Sequence, residues 1–386
     1  MLSPFRRALR SATRTARARQ KSAVKAVLLA LAPPPAKPLR KKKAPAAAPK
    51  TRKPAPKPKP PMAKPRAPLG ETVRRISTGG MPARPALPRK PPAVARGARF
   101  IGGRVSLDGE TRDYKLYVPA APASGEEALL PLVVMLHGCS QTPEDFARGT
   151  SMNQLAEQQR MIVAYPAQSA RANAKRCWNW FRAGQPSHAA EMALIVEIVR
   201  KVLQDHPADP RRVYIAGLSA GGAAALAVAS AYPEVFAAVG VHSGLPVGAA
   251  HDPASAFLAM NFGSVGRRQA SALPTIVFHG DADNVVHPGN GRAVAARGLA
   301  AFPRLAEAVR RGKAGGRDFT RTRHGAPRGK SHVEHWLLHG GGHAWSGGDA
   351  AGSFTDPSGP DASREMLRFF LQHRLPGPGM DPPAAG

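Results

Sequence analysis

Gly217-Leu218-Ser219-Ala220-Gly221 is a G-x-S-x-G box. A serine hydroxyl is a weak nucleophile at neutral pH, and it attacks an acyl carbon only when a base takes its proton and an acid orients that base. Five residues of this kind recur by chance, so the flanks decide. Residues 213–216 form an apolar run of strand length and residues 220–231 are alanine-rich and helical in character. Strand, sharp turn and helix in that order make a nucleophile elbow, in which the glycines let the chain turn and the serine is exposed at the tip; the other reading is a structural serine in a glycine-rich turn. In this architecture the acid and then the histidine follow the serine along the chain. His279-Gly280-Asp281-Ala282-Asp283 follows a second apolar run, residues 275–278, and offers Asp283 as the acid, with Asp281 as the alternative. His339-Gly340-Gly341-Gly342-His343 follows a third, residues 333–338, and its glycines would let His343 swing over the serine. His339, His279, His332 and His335 read as packing or hydrogen-bonded residues. The tetrahedral intermediate needs two backbone amides for its oxyanion. Ala220 supplies one, and the loop His137-Gly138-Cys139-Ser140-Gln141 supplies the other, from Cys139 first and Ser140 next.

These residues need a rigid frame. The hairpin signal Asp108-Gly109 sits between alternating runs that include Phe100, Ile101, Val105 and Tyr114, Leu116, Val118. Residues 132–136, 161–165, 213–216, 237–241, 275–278 and 333–338 are apolar without alternation, as strands covered on both faces are. Helices are expected over 143–158, 188–203, 220–231 and 361–373. Strands alternating with helices mean an α/β fold with a mainly parallel sheet flanked by helices, here of the α/β-hydrolase type. One domain over residues 97–376 accounts for it. The stretches 248–272 and 310–330 are expected as loops that shape the pocket.

Charge divides the chain differently. Of 56 Lys and Arg residues, 26 lie in residues 1–96 against one acid, Glu71, so this stretch holds +25 of the formal +31. It also holds 19 of the 40 prolines. Such a sequence has too little apolar area to offset chain entropy and reads as a disordered arm, as residues 377–386 read as a flexible tail. The apolar segment 26–32 is no longer than the shortest secretory core and runs into Pro33-Pro34-Pro35, so no clear signal peptide is read, and no run approaches a bilayer span. The arm is suited to salt-sensitive, sequence-independent contact with a polyanion, an anionic surface or a polymer granule. No metal-ligand or phosphate-cradling pattern appears, and the chemistry requires neither metal nor organic cofactor.

The motifs taken together, Leu136-His137-Gly138-Cys139-Ser140-Gln141, Cys177-Trp178-Asn179-Trp180-Phe181, the Gly217–Gly222 box, Val241-His242-Ser243-Gly244, His279 to Asp283 and Gly342-His343-Ala344-Trp345-Ser346, resemble the polyhydroxybutyrate depolymerase family of esterases, related to feruloyl and acetyl xylan esterases. The resemblance covers residues 99–370. It implies Ser219, Asp283 and His343 as triad, the Cys139 region as oxyanion site, and an ester or polyester substrate. It also implies that Trp178, Trp180, Phe181 and Trp345, with Ser140, contact that substrate, core packing being the alternative for Trp178 and Trp345, and that Cys139 pairs with Cys177 or remains a free thiol. Members are commonly extracellular; the missing signal leaves a cytoplasmic, granule-associated place as the alternative. Three functions stay open: hydrolysis of polyhydroxybutyrate or its 3-hydroxybutyrate oligomers, feruloyl, acetyl or general short-chain ester hydrolysis, and a polyanion- or granule-binding protein with a vestigial hydrolase domain.

Overall fold

The computed structural model describes residue 92 and residues 94–377, apart from 123–127, 182–184, 265, 267–271, 303 and 328. Almost all of the expected arm and the tail beyond residue 377 lie outside the described residues.

The strands are β1 (Arg99–Leu107), β2 (Glu110–Val118), β3 (Leu130–Leu136), β4 (Ile162–Pro166), β5 (Ala208–Leu218), β6 (Ala238–His242), β7 (Thr275–Gly280), β8 (Ala306–Ala314), β9 (Arg317–Gly325) and β10 (Ser331–Leu338). They form one sheet in the order β1-β2-β4-β3-β5-β6-β7-β10-β9-β8. The six central strands, β4 to β10, are parallel, and an antiparallel hairpin closes each edge. A short pair, β11 (Trp345–Ser346) and β12 (Thr355–Asp356), lies apart. The helices are α1 (Pro143–Thr150), α2 (Met152–Gln159), α3 (Pro186–Asp205), α4 (Ala220–Ala231), α5 (Pro253–Phe262), α6 (Gly289–Leu299) and α7 (Ala362–Phe370).

The unbroken apolar runs have a direct cause. In β3, Leu132, Val134 and Leu136 point into a core shared with α3 and α4, while Val133 and Met135 point into a second core shared with α1, α2 and α7. With a side-chain period of two and helices on both faces, every position of β3, β4, β6 and β7 is buried, as is the second half of β5. The helix expected over 143–158 is two helices, because Ser151 takes φ 52° and the Thr150 hydroxyl bonds back to the Phe146 carbonyl at 2.9 Å.

Two expectations are corrected. Within 248–272 the chain forms α5, capped by a reciprocal box in which Asp252 accepts the Ser255 amide and Ser255 accepts the Asp252 amide. Its apolar residues do not form one stripe, since Leu258 and Phe262 are exposed, and so the period was hidden. Residues 310–330 hold most of the β8–β9 hairpin, turned at Gly315-Gly316; β8 is exposed along nearly its whole length and shows no apolar alternation.

The elbow depends on close backbone packing. A Cβ on Gly221 would lie 2.1 Å from the Leu136 carbonyl oxygen and 2.5 Å from that of His137. Gly221→Ala must therefore push α4 off the end of β3, and overpacking against backbone of roughly 3 kcal/mol is expected. Thermal unfolding should show a melting temperature lower by about 5 °C for a domain of this size; an unchanged midpoint would show that the contact yields freely.

Candidate active site

Ser219 follows β5 directly and caps α4 with φ 58° and ψ −122°, a conformation uncommon for a residue with a Cβ. Its amide donates to the His242 carbonyl at 2.8 Å and its carbonyl accepts the Ala223 amide at 3.0 Å, which fixes both sides of the turn. Gly217 is equally confined, since a Cβ there would come within 2.4 Å of the Gly221 backbone. The hydroxyl-bearing residue sits at the carboxyl end of the parallel strands, where open α/β sheets gather their ligands. The α4 N-terminus adds its partial positive charge at the same point.

Asp283 and His343 lie on the loops after β7 and β10, on the same rim. His343 Nδ1 is 2.8 Å from Asp283 Oδ2. The loops are stitched by backbone: the Asp281 amide donates to the Leu338 carbonyl and the Ala282 amide to the Gly341 carbonyl, each at 3.0 Å. A Cβ on Gly280 would meet the Gly341 oxygen at 2.1 Å, so two glycines are what let the loops touch. The other carboxylate oxygen, Oδ1, accepts the amides of Val285 and Val286 at 2.9 and 2.8 Å. Burial works to raise the Asp283 pKa, but the hydrogen bond and charge of His343 and the Val286 amide outweigh it and bring it down to about 2. The alternative acid, Asp281, faces elsewhere: its carboxylate pairs with His339 Nδ1 at 2.9 Å and accepts the Gly340 amide at 2.7 Å. His339 reaches Thr320 Oγ1 with its other nitrogen, so this second Asp–His pair ties β9, β10 and the acid loop together at the rim.

His242, at the end of β6, is a residue to which the sequence assigned no role. Its carbonyl holds the Ser219 amide, while its ring accepts the Ser346 amide at 3.1 Å through Nε2. The ring is stacked between Phe278 at 5.8 Å and Trp345 at 5.1 Å. Burial lowers its pKa to about 3, so it is a neutral acceptor at physiological pH and joins the elbow to the loop that bears His343. The V-H-S-G string after an apolar strand was the signal, but only the fold shows what the ring touches.

The loop after β3 is locked from both sides. Its His137 Nε2 accepts the Gln168 amide, which leaves the proton on Nδ1 to donate to the Gly138 carbonyl at 2.8 Å. The Gly138 amide donates to Gln141 Oε1, and the Ser140 amide to the Lys175 carbonyl at 2.7 Å. Among the described residues, the amides of Cys139 and Ala220 donate to no partner. Cys139 is joined to Cys177 by a disulfide with Cα atoms 4.3 Å apart.

The expected substrate aromatics divide. Trp178 is fully buried, its indole N–H donating to the His137 carbonyl at 3.0 Å and its ring under Arg112. Trp345 is fully buried too, edge-on to Phe146 and donating to Ser363 Oγ. Both are struts behind the catalytic rim and lack the exposed ring face that substrate contact requires. Trp180 keeps partial exposure, lies edge-on to Phe181, and packs on the cluster of Ala223, Leu245, Ala259 and Val286, formed by the elbow helix, α5 and the loops beside them. Ser140 is exposed on the oxyanion loop at φ 64°. A cleft of about 840 Å³ opens on the β4–β2 side of that loop, walled by residues including Lys115, His137, Gln141, Glu144, Gln168 and Arg176; Ser219 is not among its walls. Among the described residues no group of three or more His, Cys, Asp or Glu is placed to hold a metal, and no helix is long and apolar enough to cross a membrane.

Two outcomes follow from this geometry. Asp283 has a folded pKa near 2 against an ordinary 3.8, so its contribution to stability is fully present above about pH 4 and is lost as pH falls from 4 to 2. The difference in unfolding free energy between wild type and Asp283→Asn, measured in urea, should shrink by roughly 2 kcal/mol across that window. The disulfide spans 38 residues, for which chain entropy gives roughly 4 kcal/mol. A Cys139→Ser/Cys177→Ser protein should melt lower by a corresponding amount and become insensitive to dithiothreitol, whereas wild type should lose stability when the reductant is added.

The Esterase PHB depolymerase family model matches residues 112–322, more than half of the chain. The chain is 35% identical over 182 residues to poly(3-hydroxyalkanoate) depolymerase C of Paucimonas lemoignei, covering 43% of this chain and 44% of that protein. It is 28% identical over 151 residues to poly(3-hydroxybutyrate) depolymerase of Ralstonia pickettii, covering 37% and 31%. It is 30% identical over 182 residues to feruloyl esterase B of Neurospora crassa, covering 41% and 60%. The chain thus spans less than two thirds of the length of each of these relatives. Among solved structures, the acetyl xylan esterase from Aspergillus awamori superposes with a TM-score of 0.52 over 68% of this chain and 94% of that one at 18% identity, a likeness of fold. With a six-stranded parallel centre, a serine elbow after β5 and a family match that runs from β2 into β9, this α/β-hydrolase chain belongs to the polyhydroxybutyrate depolymerase family of esterases.

Proposed function

We propose that the protein hydrolyses carboxylic esters through an acyl-enzyme on Ser219. The observation that carries this reading is the 2.8 Å contact of His343 Nδ1 with the buried Asp283 carboxylate, on the strand rim that presents Ser219. With its Nδ1 proton donated to Asp283, the neutral imidazole offers Nε2 as the base. His343 takes the Ser219 proton as Oγ attacks the ester carbonyl, and the alcohol leaves with that proton. Water, deprotonated by the same imidazole, then releases the acid. Asp283 stays ionised throughout and stabilises the imidazolium. The undonated amides of Cys139 and Ala220 meet the oxyanion, a role in which one donor is worth roughly 10²–10³ in rate. The engagement of the Ser140 amide with the Lys175 carbonyl supports Cys139 over Ser140 as the second donor.

Polyhydroxybutyrate or its 3-hydroxybutyrate oligomers are the proposed substrate, supported by the polyhydroxyalkanoate relative at 35% identity. Feruloyl, acetyl and other short-chain esters are the second reading, supported by the feruloyl relative. The Cys139–Cys177 bond supports a place outside the reducing cytosol. The basic arm is proposed to contact a polyanion or granule surface, and the density of Lys and Arg in residues 1–96 supports it.

Purified Ser219→Ala should lose p-nitrophenyl butyrate hydrolysis by at least about 10³-fold with its melting transition intact. Activity retained in that variant would remove the acyl-enzyme reading. A panel of solid polyhydroxybutyrate, its soluble oligomers, p-nitrophenyl acetate and methyl ferulate ranks the substrates by kcat/KM. Preference for methyl ferulate over the oligomers would overturn the polyester reading and leave the esterase reading standing.

A further inference from the structure

His279 closes β7 and is fully buried beside the proposed acid, yet the mechanism above makes no use of it. Its Nε2 lies 2.8 Å from the Val286 carbonyl and 3.5 Å from Asp283 Oδ2. A carbonyl only accepts, so Nε2 carries the ring proton and Nδ1 is bare. Among the described residues that Nδ1 has no partner. It faces Gly291 of α6, where a Cβ would come within 2.7 Å of it. A glycine at that point lets α6 close on the imidazole and blocks ring rotation.

We propose that His279 is a positioning residue for the triad: its Nε2–H, shared between the Val286 carbonyl and Asp283 Oδ2, clamps the acid loop and holds the carboxylate in the plane that His343 requires. The proposal rests on the reading of Ser219, His343 and Asp283 as the catalytic unit. Three features make it more than core packing. The ring bonds the Val286 carbonyl at one end of the 283–286 turn and stands 3.5 Å from Asp283 Oδ2 at the other, while the turn's amides hold Oδ1, so carboxylate rotation would disturb contacts on both oxygens. The donor stands 3.5 Å from the same oxygen, Oδ2, that His343 meets at 2.8 Å. Burial also lowers the His279 pKa, which favours the neutral ring that the Val286 contact already implies. The groups facing it are Asp283, His343, His287 and, on β10, His335, whose buried Nε2 is likewise without a partner among the described residues.

Glutamine can place an amide N–H where Nε2 stands, whereas asparagine is too short. The expected result with p-nitrophenyl butyrate is that His279→Gln keeps kcat within a few-fold of wild type while His279→Asn loses roughly 10–100-fold in kcat at unchanged KM, the scale of a lost orienting partner. The acid limb of the kcat/KM profile should move to higher pH in His279→Asn, because removing a donor from Asp283 strengthens its hold on the His343 imidazolium. In an Asp283→Ala background, His279→Asn should cost nothing further. Equal losses in the two backgrounds overturn the proposal, as do equal activities of the Gln and Asn variants. Failure of either variant to show a cooperative melting transition assigns His279 to the fold and overturns it too. An active Ser219→Ala protein would instead overturn the triad reading and this proposal with it, while an inactive Ser219→Ala beside a fully active His279→Asn overturns this proposal alone.

Discussion

The conformation of Ser219 is the constraint from which the rest of the site follows. A non-glycine residue at φ 58° and ψ −122° stores on the order of 1–3 kcal/mol, and such strain persists only where the surroundings over-determine it. Here the surroundings are backbone on every side. Gly217 and Gly221 admit the Leu136 and His137 carbonyls at distances no Cβ would allow, and the His242 carbonyl takes the serine amide. Because β3 packs directly against this turn, its following loop arrives with the Cys139 amide beside the elbow, and the Ala220 amide is left undonated by the turn itself. The nucleophile and the two candidate oxyanion donors are therefore consequences of one close approach between β3 and β5.

Around that turn the protein uses imidazoles as neutral struts. His137, His242 and His279 are buried, and burial lowers the pKa of each. A charged imidazolium in these places would be desolvated without compensation, whereas a neutral ring offers one donor and one acceptor at fixed geometry. His137 uses both, joining the Gln168 amide to the Gly138 carbonyl; His242 ties β6 to the segment after His343; His279 bonds the acid loop. His343 differs in retaining partial exposure, 11% of its side chain, and in meeting the Asp283 carboxylate at hydrogen-bond distance, 2.8 Å. The four are alike in composition, and the environment alone separates the struts from the proposed base.

How much of this the sequence made legible depends on whether the signal was local. The central strands were readable because burial on both faces leaves an apolar run, and the elbow because strand, G-x-S-x-G and alanine-rich helix are contiguous. Asp283 was distinguishable from Asp281 only by preference, since two carboxylates two residues apart on one loop differ in which histidine they meet, and that is decided by the contact of Gly280 with Gly341. Trp178 and Trp345 stayed open between substrate contact and core packing because a tryptophan next to such a loop has the same local sequence whether its ring turns outward or inward, and both rings are buried. Their N–H groups show the difference, since both are spent on internal acceptors, the His137 carbonyl and Ser363 Oγ. The β8–β9 hairpin was lost for the opposite reason: an edge strand with little buried face carries no alternation to read.

That hairpin also reorganises the charge. Residues 304–330 contain nine Lys and Arg against two acids, while the remainder of residues 97–386 contains 21 against 22. The excess charge of the folded part thus belongs to one sheet edge, and Arg310 and Arg321 stand directly opposite each other in the β8–β9 register. Like charges opposed across a ladder are unfavourable, but on an outermost strand they blunt the row of unpaired backbone groups that would otherwise template pairing with another chain. The device falls on β8, the outermost strand of the sheet on this side, which is exposed along most of its length. With that edge set aside, the elbow, the acid and base loops and the oxyanion loop lie in a nearly charge-balanced body. The electrostatics of the candidate site within this body are therefore local, set by one buried carboxylate and one helix N-terminus.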